Sequence, residues 1–449
     1  MRQNLREIFT ELIASSQEQE LRGGSKRDLE LTALADKVTV CVGVRRCGKS
    51  TLMQQQFQKL AAQGIPRENM LMINFADERL ADMGSTGWNE LFEAYYSMYP
   101  HKRGKEKVYF CFDEIQMHPH WELFVERLRR EENCEIYITG SSAAMLSREI
   151  HTALRGRSLS WELFPFSFGE YLERRGIPRS GHGTNRKLAV QNAWEAYREE
   201  GGFPETYGLA PAWRIRLHQE YFDTLLYRDV VERYNVSQPL ALKQLARRML
   251  GRIGAQLSIN KLSNDFRSSG ISISKETIQQ YIAWLEDAYF LFCIPACSAS
   301  ASERFRLMRK VYCIDHAMVK SLCGTFSELQ GQMLENMVFL SLRRNTPEVY
   351  YYKTQAGHEV DFLAVHPSTH EKLLVQVCAR MDAPKTRQRE LRAMTEAMAE
   401  TGLNKSIIVT ESETGEINTT QGNITLIAAP EYLSRQNAGF DYWELLKTH

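Results

Sequence analysis

The sequence predicts an α/β chain whose first 170 residues form a parallel sheet covered by helices on both faces. Two observations carry that expectation. Short, largely apolar runs (Val38 to Val42, Met70 to Phe75, Val108 to Phe112, Glu135 to Thr139 and Leu159 to Leu163) alternate with helical stretches. Such near-continuous runs belong to strands buried on both faces. The first run leads straight into a glycine-bounded turn, Gly43-Val44-Arg45-Arg46-Cys47-Gly48-Lys49-Ser50, which opens a helical pattern from Thr51 to Ala62.

A chain of 449 residues exceeds what one core supports and implies about two to four domains. With 43% hydrophobic and 25% charged residues the composition is that of a globular protein. The formal net charge of +1 excludes a chain-wide basic surface, so any nucleic-acid contact has to be local. Met1 to Ser16 is amphipathic and holds no signal-peptide core. No apolar run approaches the roughly 18 residues of a membrane span. The nine cysteines show no paired C-x2-C spacing, and Cys293 and Cys297 have no neighbouring ligands. They are therefore expected to be reduced thiols of a cytoplasmic protein rather than zinc ligands.

Changes of pattern divide the chain into a helical segment (1–36), the parallel-sheet domain (37–170), a helical lid or linker (171–239), a three-helix domain (240–329) and a last α/β domain (330–449). The stretch Gly176 to Thr184 is rich in Pro, Gly and Ser and reads as a loop. The last domain reads helix, three strands, helix, strand.

The turn after the first strand has the spacing G-x-x-x-x-G-K-S between strand and helix, the context that gives this motif its meaning. Gly43 and Gly48 let the loop wrap so that backbone N–H groups and the helix N-terminus face phosphates. Lys49 supplies a charge near the β- and γ-phosphates and Ser50 a hydroxyl for Mg²⁺. Arg46 and Thr51 complete the residues expected around ATP. The strand Val108 to Phe112 ends in Asp113-Glu114, which places Asp113 in the Mg²⁺ shell and Glu114 where a general base activates water. Ile136 to Thr139 leads into Gly140-Ser141-Ser142, where Ser141 or Thr139 can orient that water and Ser142 can cap a helix. Arg148, Arg155 and Arg157 compete as the cation that reaches a neighbouring subunit's nucleotide, with Arg157 preferred and a plain surface arginine as the alternative.

These segments (Gly43 to Ser50, Phe112 to Gln116, and Thr139-Gly140-Ser141-Ser142 through Arg157) resemble the AAA-type ATPases of bacteria and archaea. Pro165-Phe166-Ser167-Phe168 and Gly202-Phe203-Pro204-Glu205 fit the same prokaryotic family, and the resemblance covers nearly the whole chain. It implies a P-loop sheet of the ASCE/AAA+ class and a homo-oligomer, such as a hexameric ring, whose subunits complete each other's sites.

Between Leu240 and Asp315, Leu242, Leu245, Met249 and Ile253 mark one helix face, and Ile259, Leu262 and Phe266 a second. Ser274 caps a third helix with Ile278, Ile282 and Leu285 inside. Phe290 to Ile294 and Val311 to Ile314 would form a β-hairpin wing, giving a winged helix whose third helix enters a major groove. Lys243, Arg247, Arg248, Arg252, Lys261, Arg267 and Lys275 face Asp265 alone in the sequence, with Arg304, Arg306, Arg309 and Lys310 in the wing. Lys261, Arg267, Lys275 and Gln279 are the expected DNA contacts.

Further on, Glu335 on a helix, Asp361 in a strand and Gln376-Val377-Cys378 in the next strand resemble the restriction-endonuclease-like fold. Gln376 stands where that family has an acid and Cys378 where it has a lysine, so nuclease activity is not expected. The combined expectation is an ATP-driven remodeller or translocase on DNA, branched DNA included. The alternative is an ATP-dependent regulatory or defence switch acting through protein partners.

Overall fold

The structure, a computed structural model, describes residues 4–141, 154, 156–181, 183–297, 308–324 and 329–435. It divides into two units, Met1–Leu163 and Phe164–His449. The candidates Ser142, Arg148, Arg155, Arg304 and Arg306 lie outside the described residues.

In the first unit the apolar runs become five parallel strands, as their buried character requires. In chain order the elements are α1 (Leu5–Glu18), β1 (Val38–Val42), α2 (Lys49–Ala62), β2 (Met70–Asn74), α3 (Gly87–Met98), β3 (Val108–Asp113), α4 (Trp121–Glu131), β4 (Cys134–Gly140) and β5 (Ser158–Glu162). The sheet order is β2-β3-β4-β1-β5. β4 therefore lies between β1 and β3, and the loops that leave these three strands emerge side by side. This is the P-loop AAA+ arrangement. Residues at every position of β1 and β3 are buried. α1 starts with a capping box between Asn4 and Glu7 and buries Ile8, Phe9 and Ile13. Its Ser16 Oγ accepts the Met72 amide at 3.2 Å and so covers part of the edge strand β2.

The second unit begins with α5 (Phe168–Arg174), α6 (Thr184–Glu200) and α7 (Pro211–Thr224), the last continuing as a π-helical stretch, Leu225–Glu232. Next come α8 (Pro239–Leu250), β6 (Gln256–Leu257), α9 (Ile259–Ser268), α10 (Lys275–Asp287), β7 (Leu291–Ile294) and β8 (Arg309–Cys313). β7 and β8 pair antiparallel, and β6 adds a third strand to β8 that the sequence reading lacked. Two residues are too few to show a period.

α11 (His316–Cys323) and α12 (Leu329–Asn345) lead into β9 (Val349–Lys353), β10 (Glu359–Val365), β11 (Lys372–Val377), α13 (Pro384–Thr401), β12 (Lys405–Thr410), β13 (Gly415–Thr419), β14 (Gly422–Ala428) and α14 (Ala429–Ser434). They build a mixed sheet of order β13-β14-β12-β11-β10-β9. Ala393, Met394, Ala397 and Met398 of α13 pack in one core with Leu374, Ile408 and Ile424 of the strands. The sequence reading stopped at β12; the β13–β14 hairpin and α14 extend it.

Candidate active site

The nucleotide loop is shaped by its glycines. Gly43 and Gly48 have φ of 155° and 102°, and a Cβ on Gly43 would lie 2.1 Å from the Leu163 carbonyl oxygen. No other residue fits at Gly43. α2 starts at Lys49 with no side-chain cap and no acid in its first turn, whereas α9 and α10 are capped by Ser258 and Ser274. The first amide groups of α2 are thus left for an external anion. Lys49 is buried, and its Nζ donates to the carbonyls of Gly43 at 2.9 Å and Val44 at 3.1 Å. Burial opposes the Lys49 charge, but the neighbouring Cys47, Glu114, Cys41 and Asp113 outweigh it and hold the pKa above its ordinary value. Arg46 takes a left-handed φ of 66° in the loop. Thr51 lies in the first turn of α2.

The strand order brings the acids to this loop. Ser50 Oγ donates to Asp113 Oδ2 at 2.7 Å, joining the helix start to the end of β3. Thr139, on β4 between them, donates to Asp113 Oδ1 and accepts the Glu114 amide at 3.2 Å. Burial pushes the Asp113 pKa up, against the hydrogen bonds from Thr139 and Ser50. Glu114 is part-buried and has φ 53°, a left-handed backbone that is costly without glycine. Gln116 Nε2 donates to Glu114 Oε2 at 2.6 Å and fixes the carboxylate's direction. Ser141 is buried just past β4, and the Thr139 hydroxyl joins the Asp113 carboxylate to the Glu114 backbone amide. Sequence reading missed Arg27, which is buried and donates from Nη1 to the Cys47 carbonyl at 2.7 Å, bracing the loop from outside the motif.

Arg157 is remote from these groups. It immediately precedes β5, whose Ser158 is paired with Val38 at the start of β1, while the loop follows Val42 at the other end. One strand length, about 16 Å, separates the two ends. Arg157 is ion-paired with Glu126 and remains 46% exposed.

A family model for an AAA domain matches residues 35–172, and two domains of unknown function match 191–329 (DUF8612) and 330–432 (DUF4143). An uncharacterized protein of Methanocaldococcus jannaschii is 33% identical over 384 residues, 84% of this chain and 82% of the relative. The chain belongs to the prokaryotic AAA family that ends in DUF4143. An uncharacterized protein of Haemophilus influenzae is 29% identical over 76% of this chain and 82% of its own. The structure of Aeropyrum pernix ORC1 in complex with DNA aligns with 71% of this chain and 91% of its own, at 13% identity and a TM-score of 0.30, too loose a likeness to bear on function. Among the described residues no helix is long and apolar enough to cross a membrane.

In this AAA-family chain the four candidate DNA contacts, Lys261, Arg267, Lys275 and Gln279, are all exposed on α9 and α10. Arg247 on α8 is exposed too, its guanidinium over the Phe222 ring, whereas three other basic residues of the region are in ion pairs. Lys243 pairs with Asp223 at 2.6 Å, Arg252 with Asp265 at 2.9 Å and Arg309 with Glu286 at 3.3 Å. Lys310 corrects the sequence reading outright, because its side chain is 3% exposed and cannot meet a phosphate. It points into the carboxylates of the DUF4143 domain. Lys310 Nζ lies 3.2 Å from Glu335 Oε1, 2.7 Å from Glu359 Oε1 and 2.9 Å from Asp361 Oδ1. Gln376 accepts the Asp361 amide at 3.0 Å and donates to Glu390 at 2.8 Å. The Cys378 thiol donates to the Arg380 carbonyl at 3.2 Å, and burial pushes its pKa up to about 11.

Proposed function

We propose that the chain binds and hydrolyses ATP, and that it works as a homo-oligomer on DNA. The observation that carries the hydrolase reading is the convergence of Ser50, Asp113 and Thr139 beside Glu114 at the mouth of the glycine loop. Paired oxygen donors of hydroxyl and carboxylate suit Mg²⁺, and Ser50 and Asp113 would hold it, through which it would neutralise charge on the phosphates. Lys49 would exchange its loop carbonyls for phosphate oxygens. Gly43, Arg46, Gly48 and Thr51 would line the phosphates. Glu114, held by Gln116, is the base that takes a proton from water, with Thr139 or Ser141 aligning it. The test is direct: Lys49→Ala should abolish nucleotide binding, while Glu114→Gln should bind ATP and turn it over on the order of 10²–10⁴-fold more slowly. A Glu114→Gln chain hydrolysing at the parent rate would remove Glu114 from that role.

The DNA reading rests on Lys261, Arg267 and Lys275, exposed on two helices of a winged-helix-like array. A second reading, a switch acting on protein partners, is favoured by Trp213, which is 62% exposed beside Leu209 and Leu217. An ATPase rate that rises with added DNA supports the first; a rate indifferent to linear, forked and four-way DNA supports the second.

A further inference from the structure

The carboxylates of the DUF4143 domain are arranged around a single nitrogen. Glu335 comes from α12, Glu359 and Asp361 from β10, and the nitrogen from β8, outside that domain's sheet. Side-chain exposures are 3% for Lys310, 14% for Glu335 and 12% for Asp361, while Glu359 closes the cluster from the rim at 33%. Three acid groups this close, two of them largely out of water, repel one another unless a cation sits among them. A metal ion of the calcium or magnesium class meets carboxylate oxygens in the same convergent way. Tyr312 donates to Glu335 Oε1 at 2.7 Å, the Val377 amide to Asp361 Oδ2 at 3.0 Å, and Gln256 to Glu359 Oε2 at 2.7 Å. Gln376 is turned to a backbone amide and to Glu390.

We infer that Lys310 is the resident cation of this cluster: its ammonium occupies the position a divalent metal ion would take among Glu335, Glu359 and Asp361. The lysine thereby closes a latent metal site. Two features that weaken a nuclease, Gln376 and Cys378, are then joined by a third that the motif does not contain, a built-in competitor for the metal. The same contact ties β8 to α12 and β10, so neutralising the acids and joining these elements are one act.

The experiment is a Mn²⁺ titration of the nucleotide-free full-length chain, followed by electron paramagnetic resonance and by thermal unfolding. Lys310→Ala should bind one more Mn²⁺ per chain than the parent, with Kd on the order of 10⁻⁴–10⁻³ M. Its unfolding midpoint should rise more steeply with Mn²⁺ than the parent's, and adding Asp361→Asn should remove both differences. Should Lys310→Ala not fold, Lys310→Ala with Glu335→Gln lowers the repulsion and is titrated in its place, with the same extra ion expected. No additional ion in the variant that folds would overturn the inference. So would a Mn²⁺ site in the parent chain that Asp361→Asn abolishes, since the lysine would then not be excluding the metal.

Discussion

Lys49 and Lys310 are both buried ammonium groups, and their neighbours set their uses. Lys49 is held by two backbone carbonyls, which a phosphate can replace without leaving a buried acid unpaired. Lys310 is held by three carboxylates and cannot leave without exposing their mutual repulsion. Only the first was legible in the sequence, because the glycine spacing around Lys49 is local. Lys310 shares a positive run with Arg309, and its burial depends on acids 25 to 51 residues away. The Glu335 pKa gives this residue-scale difference a measurable consequence. Burial first, and Asp361 next, raise it to about 7. Because the folded value lies above the unfolded one, the contribution to stability is complete below about pH 4.3 and is lost as pH rises through about 7. Glu335→Gln should therefore gain stability relative to the parent as pH rises from about 4.3 to about 7, by up to about 1.4 kcal/mol per pH unit, and keep that gain unchanged above it. Urea unfolding at several pH values checks this; parallel pH profiles for the two proteins would contradict it.

At the scale of elements, the runs buried on both faces were the readable ones, because β1 and β3 have no solvent side to interrupt them. The helices α8, α9 and α10 were legible from their period and from Ser274, which caps as expected; Ser258 caps α9 in the same way. β13 was not, since Gly415–Thr419 is mostly exposed and takes its shape from pairing with β14. The motifs Pro165-Phe166-Ser167-Phe168 and Gly202-Phe203-Pro204-Glu205 have a physical reason that sequence alone did not supply. The Phe166 amide donates to Gly202 O at 2.6 Å, the Gly202 amide to Asp315 at 2.6 Å, and a Cβ on Gly202 would lie 2.5 Å from Phe166 O. Ion pairing of the residues from α8 to β8 also narrows the charge available to DNA. With Lys243, Arg252 and Arg309 in ion pairs and Lys310 buried, what remains includes Lys261, Arg267 and Lys275, which are all the basic residues of α9 and α10 and are exposed. Reversing these three to glutamate should weaken binding to all DNA sequences alike and lower the slope of log K against log salt by about 3. Basal ATP hydrolysis should stay at the parent rate. An unchanged anisotropy titration would move any DNA contact off these helices.

For the whole molecule, the position of Arg157 bears on why an oligomer would be needed. It stands at the start of β5, opposite the end of β1 from which the glycine loop departs, so it cannot reach the nucleotide of its own chain without taking the sheet apart. A nucleotide that Arg157 acts on therefore belongs to a neighbour, and within its own chain the side chain is ion-paired with Glu126. Head-to-tail contacts in a ring offer every chain's loop one neighbour's Arg157. An arginine supplied in this way is worth on the order of 10³–10⁵ in rate, so Arg157→Ala and Glu114→Gln chains should each be nearly inactive alone. Mixed in equal amounts and allowed to exchange, they place an intact Glu114 next to an intact Arg157 at about a quarter of the interfaces, and roughly that fraction of parent activity should return. The measurement is steady-state ATP hydrolysis on the mixture, with co-purification of two differently tagged chains as proof of exchange. Exchange without recovered activity would confine Arg157 to its pairing with Glu126.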